Sequence, residues 1–169
     1  MSCIAWNCRG LGNHLAVQKL AEVVTAKAPA VVFLAETLAD EARLDYVKDC
    51  IRFDKKFVVQ RVHRRGGLVL YWKNDLLVDV VSSSLNHIDA IINKDTEAAW
   101  RFTGTASRKH INGMNLGTYF AAYTTKTHCL GYAPGTSTRS LSKVRSLEDG
   151  QDHRDKCNSS ATYWMNVDL

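Results

Sequence analysis

The stretch CIAWNCRGLGN, Cys3 to Asn13, sets an apolar run, Ile4-Ala5-Trp6, directly against an asparagine and then two glycines. Asparagine is a poor strand-interior residue, and a buried amide must find partners. A short strand that ends on Asn7 and breaks into a tight loop at Gly10 and Gly12 delivers one polar side chain to its carboxyl end. Open α/β sheets build their sites at such ends.

The residues that follow support a sheet of that kind. HLAVQKLAEVVTAKA, from His14, carries Leu15, Val17, Leu20, Val23 and Val24 at helical spacing and runs to Pro29, which predicts an amphipathic helix against the sheet. AVVFLAET follows, and its unbroken Val31-Val32-Phe33-Leu34 predicts a strand buried on both faces and ending at Glu36. DEARLDYVKDCI reads as a second helix, capped by Asp40, with Leu44, Val47 and Ile51 on one face. Beyond Phe53 the text turns to strands: KKFVVQRV, GGLVLYW, LLVDVVSSS, HIDAII and AAWRFTG, separated by turn-formers. This pattern predicts a mixed α/β sheet that begins βαβα and continues antiparallel. One face is covered by helices, and the other needs a second sheet.

Bulk properties bound the class. A chain of 169 residues with 46% hydrophobic content suits one domain with a real core. No apolar run is long enough for a membrane span and the start is not signal-like, so a nuclear or cytoplasmic, non-secreted setting without a membrane partner is expected. Five dispersed cysteines without a CxxC pair suggest free thiols, neither a disulfide partner nor a zinc site. The net charge of +5 is spread along the chain without a basic stripe.

After Gly104 the periodicity fails. Ser and Thr number 15 from Thr105 onward, against 8 before it, and large aliphatics become scarce, so residues 105–169 are expected to be mostly irregular.

Asn7 and Glu36 are the candidate site. A carboxylate beside a neutral amide oxygen is a hard, oxygen-rich beginning for a Mg²⁺ site, which takes one or two carboxylates plus water and substrate phosphate. The plainer alternatives are that Asn7 caps a turn and that Glu36 pairs with Arg9 or Lys48.

CIAWNCRGLGN resembles the opening strand of the endonuclease/exonuclease/phosphatase superfamily, the DNase I-like four-layer α/β sandwich, and PAVVFLAET resembles that family's second motif. More narrowly, WNCRGLGN, VFLAET, RRGGLVLYWK, NHIDAII and WRFTG together look like the endonuclease of plant non-LTR (LINE-type) retrotransposons, over residues 1–104. The resemblance implies an α/β fold of partial, truncated four-layer type. It implies Mg²⁺ as cofactor, DNA as partner and hydrolysis of a phosphodiester. Asn7 would be the active-site asparagine and Glu36 the metal-coordinating carboxylate, both counted as catalytic and metal-holding. Arg9 and Arg65 would contact backbone phosphates; solvated surface arginines are the plainer alternative. His87 and Trp100 read as turn or core residues, and Gly66-Gly67 as a bend at a strand start.

The family's later motifs, GDFN and SDH, supply the aspartate, asparagine and histidine that complete the site, and neither string occurs here. The third bases of the codons from His128 to Leu141, each read with the first two of the next codon, can spell LPWLCAGDFNEIL. Compatible strings recur in the same frame from Ile111 to Cys157. A frame change near Gly104 would therefore divide the chain into the front half of an endonuclease domain, 1–104, and an out-of-frame tail, 105–169. Half a sandwich would expose a large apolar inner face. The function expected is that of a degenerate retrotransposon-derived endonuclease fragment without turnover. An active Mg²⁺-dependent endonuclease and a non-enzymatic nucleic-acid-binding module are the alternatives.

Overall fold

The computed structural model describes residues 2–62, 66–111, 114–126, 145–146 and 162–166, with side chains over 2–62, over 66–106 and at Ala122. The opening run forms β1, Ser2–Asn7. Helix α1, His14–Lys27, starts where the Asn13 side chain accepts a hydrogen bond from the Leu15 N–H at 3.0 Å, and it stops at Ala28 in the left-handed conformation, just ahead of Pro29. Strand β2, Val31–Ala35, is wholly buried, as its unbroken apolar run predicts. Helix α2, Glu41–Cys50, is capped by Asp40, which accepts from the Arg43 N–H at 2.9 Å.

The remaining elements are strands. They are β3 (Lys55–Val59), β4 (Leu68–Trp72), β5 (Val78–Ser84), β6 (His87–Ile92), β7 (Trp100–Ile111), β8 (Met114–Lys126), β9 (Arg145–Ser146) and β10 (Thr162–Asn166). They form two sheets, one ordered β3-β4-β2-β1-β10-β9 and the other β5-β6-β7-β8. The architecture is mixed α/β. Strands β1 and β2 run parallel, joined through α1, and the other pairs are antiparallel.

Alternation along the strands sorts two apolar layers. Ile4, Trp6, Val32, Leu34, Val69 and Tyr71 point to the helices and meet Val17, Leu20, Val24, Leu44 and Val47. The Tyr71 hydroxyl donates to the Leu44 carbonyl at 2.9 Å and ties α2 to the sheet. On the inner face Cys3, Ala5, Val31, Phe33, Leu68 and Leu70 meet Ile88, Ala90, Ile92, Trp100 and Phe102 of the second sheet. Within this layer the Phe33 and Phe102 rings lie 5.5 Å apart at 59°. Gly104 lets β7 approach β2, since a Cβ there would fall 2.6 Å from the Phe33 ring.

Two details differ from the sequence expectation. Leu15 is 62% exposed: Val17, Leu20 and Val24 make the buried stripe, and a residue two positions before Val17 lies some 200° around the helix from it. The inner face is not left as an apolar patch, because the second sheet covers it. Strand β7 runs past Gly104 to Ile111, and the larger part of residues 105–169 lies outside the described residues.

Candidate functional site

Register fixes the first fact about the site. Asn7 on β1 is opposite Ala35 on the parallel β2, so Asn7 and Glu36 stand at the same carboxyl edge of neighbouring central strands. Asn7 is 3% exposed and in phase with Cys3 and Ala5, which turns it to the side between the two sheets. Its Oδ1 accepts a hydrogen bond from the Arg9 N–H at 3.3 Å. Asn7 therefore does cap a turn, and an amide oxygen with two lone pairs keeps capacity for a second partner.

The backbone at this edge is bent sharply. Arg9, Glu36 and Leu38 have φ of 45°, 53° and 51°, a left-handed conformation disfavoured for residues with a Cβ, and Gly66 and Gly67 sit at 74° and 89°. Non-glycine residues held this way need the surrounding structure to over-determine them. Here the segments are stitched together: Cys8 N–H to Ala35 O at 3.0 Å, Leu11 N–H to Thr37 O at 2.8 Å, Thr37 N–H to Gly67 O at 3.1 Å and Leu38 N–H to Gly66 O at 3.2 Å. A side chain at Gly67 is excluded, since its Cβ would lie 2.4 Å from Thr37 Oγ1. From the helix side, Arg43 Nε donates to the Leu11 carbonyl at 2.8 Å and braces the loop that follows Asn7.

Two polar groups lie under the rim that sequence reasoning did not single out. Thr37 Oγ1 is buried without a hydrogen-bond partner. The Cys8 thiol donates to the Ala35 carbonyl at 3.2 Å and lies 3.7 Å from the Glu36 carbonyl oxygen. Burial pushes the Cys8 thiol up to about 12, and the nearby Glu36 carboxylate adds to that shift. The strand alternation that places Trp6 toward the helices signals the apolar face for Cys8; nothing in residue type signals its bonds.

Other candidates fall elsewhere. Lys48 pairs with Asp45 and Asp49, each at 3.9 Å, not with Glu36. Arg9 enters the site through its backbone N–H, and Arg65 lies outside the described residues. The His87 ring is held between Ser84 Oγ at 2.6 Å and Ser82 Oγ at 3.1 Å on the β5–β6 hairpin, and Trp100 is wholly buried in the core. Cys3, Cys8 and Cys50 are free thiols, while Cys129 and Cys157 lie outside the described residues.

Glu36 and Asn7 offer two hard oxygen ligands, a donor set that suits Mg²⁺ completed by water and phosphate. Among the described residues no group of three or more His, Cys, Asp or Glu side chains converges as a metal centre. His128 and His153 lie outside the described residues, as does the side chain of His110. No described helix is long and apolar enough to cross a membrane.

No protein-family model matches the chain, and no curated protein matches it. Among solved structures the chain is similar to humanized D. rerio TDP2 (16% identity, TM-score 0.38) and to D. rerio TDP2 complexed with single-strand DNA product (17%, 0.37). It is also similar to TDP2 from C. elegans (15%, 0.38). Each alignment covers 76% of this chain, which spans 52%, 47% and 36% of the respective TDP2 chains.

Proposed function

We propose that the chain is a degenerate fragment of a Mg²⁺-dependent DNA endonuclease of the endonuclease/exonuclease/phosphatase superfamily, derived from a plant LINE-type retrotransposon. In this proposal it retains the metal-holding edge of the site without turnover. The observation that carries the proposal is the register that puts Asn7 and Glu36 at one carboxyl edge of adjacent parallel strands. Glu36 would supply the charge that holds the metal, and Asn7 a neutral oxygen beside it. Magnesium, when bound, would stabilise charge on the phosphate and on the leaving oxygen. Arg9 and Arg65 would contact the DNA backbone. The general base and the imidazole of the parent enzyme are missing from residues 1–104, and a frame change near Gly104 accounts for their loss. Residues 105–169 are then the out-of-frame part.

A supercoiled-plasmid nicking assay with Mg²⁺ tests the proposal. The chain and Glu36→Ala should leave the plasmid intact to the same extent. Cleavage by the unaltered chain that disappears in Glu36→Ala overturns the loss of turnover. Sequencing gene and transcript across Gly104 tests the origin: GDFNE should appear in the alternative frame, and its absence refutes the frame change.

A further inference from the structure

Cys8 is a buried thiol that the proposed function does not use. Its main-chain N–H and its Sγ–H both address the Ala35 carbonyl, at 3.0 and 3.2 Å, and the Glu36 carbonyl lies 3.7 Å from the sulfur. The next main-chain bond between these two segments runs from Leu11 N–H to Thr37 O. The peptide that carries the Glu36 carbonyl falls between the two bonds and faces the thiol. Glu36 is also one of the left-handed non-glycine residues of the rim, at φ 53°. A glutamate abandons that conformation readily unless its flanking carbonyls are held.

We infer that Cys8 is a positioning residue for Glu36: its thiol, donating to the Ala35 carbonyl at the end of β2 with the Glu36 carbonyl beside it, holds the left-handed turn from which the Glu36 side chain leaves the rim. The inference deepens the proposed function and rests on it for what the carboxylate faces. The competing role is that of a small apolar filler, since buried free cysteine commonly behaves as one. The two roles separate by side-chain chemistry. Serine keeps a donor at this position and loses apolar volume, whereas valine keeps the volume and loses the donor.

The test is backbone NMR on the full chain with Cys8→Ser and Cys8→Val. Cys8→Ser should keep the Glu36 Cα and Cβ shifts of the left-handed conformation. Cys8→Val should move them toward extended values and speed amide exchange at Thr37 and Leu38 by about tenfold through local opening, with little change in melting temperature. Mn²⁺ broadening of signals at the rim, measured in the same samples, should weaken in Cys8→Val and Glu36→Gln alike. If Glu36→Gln leaves the broadening unchanged, the metal reading fails, and the role of Cys8 is judged on shifts and exchange alone. Unchanged shifts and exchange in Cys8→Val overturn the inference. Should the valine variant not fold, the unaltered chain decides: an S–H stretching band that is absent in Cys8→Ser and shifted down as for a donating thiol supports the inference, and one at the frequency of a non-donating thiol refutes it.

Discussion

Replacing Gly104 by alanine tests whether the two sheets are docked as described. The added Cβ would lie 2.6, 2.7 and 2.8 Å from three carbons of the Phe33 ring. Carbon atoms prefer separations of about 3.5–4.0 Å, so the ring or β7 must retreat by about 1 Å. Phe33 is fully buried on a central strand and already leans on Phe102, so no open space receives it. Overpacking of this kind costs about 1–3 kcal/mol. Removing a flexible glycine from a strand offsets about 0.5–1 kcal/mol. The net loss is about 1 kcal/mol, seen as a fall of about 2–4 °C in melting temperature for a chain of this size. Urea denaturation followed by tryptophan fluorescence measures it, with Phe33→Leu made alone and together with Gly104→Ala. Phe33→Leu by itself loses buried volume and destabilises. In the double variant the smaller side chain relieves the clash, so the combined loss should fall short of the sum by about 1 kcal/mol. A neutral Gly104→Ala together with additivity within about 0.5 kcal/mol would refute the packing of Gly104 on Phe33.

Two further outcomes concern polar groups outside the rim. Asp89 is buried on β6, accepts from Arg101 Nε at 2.9 Å and from the Thr103 hydroxyl at 2.9 Å, and the Arg101 guanidinium holds its carboxyl below the usual range. Asp89→Asn should cost about 1–2 kcal/mol near neutral pH. Because the folded state lowers this pKa, the contribution is full above the unfolded value of about 3.9 and disappears as pH falls through the lower folded value. Urea midpoints of the two proteins should therefore converge as pH falls below the unfolded value and through the lower folded one; a constant gap would show that the loss is not ionic. Tyr71→Phe leaves the Leu44 carbonyl without its hydroxyl donor and should lower stability by about 0.5–1.5 kcal/mol. An unchanged urea midpoint would show that the bond does not fasten α2.

Much of the scaffold was legible in residue order, and particular residues show why. Five consecutive apolar positions could only be a strand covered on both faces, which is what Val31–Ala35 became. Asp40 announced its helix because a short acceptor ahead of an apolar stripe has one local use. The adjacency of Asn7 and Glu36 followed from two strands of one βαβ unit. The failures share a different cause. The exposure of Leu15 depends on which of two overlapping stripes the sheet selects, a tertiary choice that helical spacing leaves open. The covering of the inner face depends on long-range contact between Phe33 and Phe102, which local patterning does not encode. The bonds of Cys8 arise because β1 and β2 end in register at Asn7 and Ala35, so that Cys8 follows directly beside the Ala35 carbonyl, a matter of register and not of residue type.

Strand β1 is flanked by β2 on one side and by β10 on the other, with Ser2 opposite Asn166 and Trp6 opposite Thr162. A ribosome adding roughly 5–20 residues per second delivers these partners about 8–30 seconds apart. During that interval one hydrogen-bonding edge of the earliest strand stays open to whatever meets it. Closure of the central sheet therefore waits for the last strand to be made.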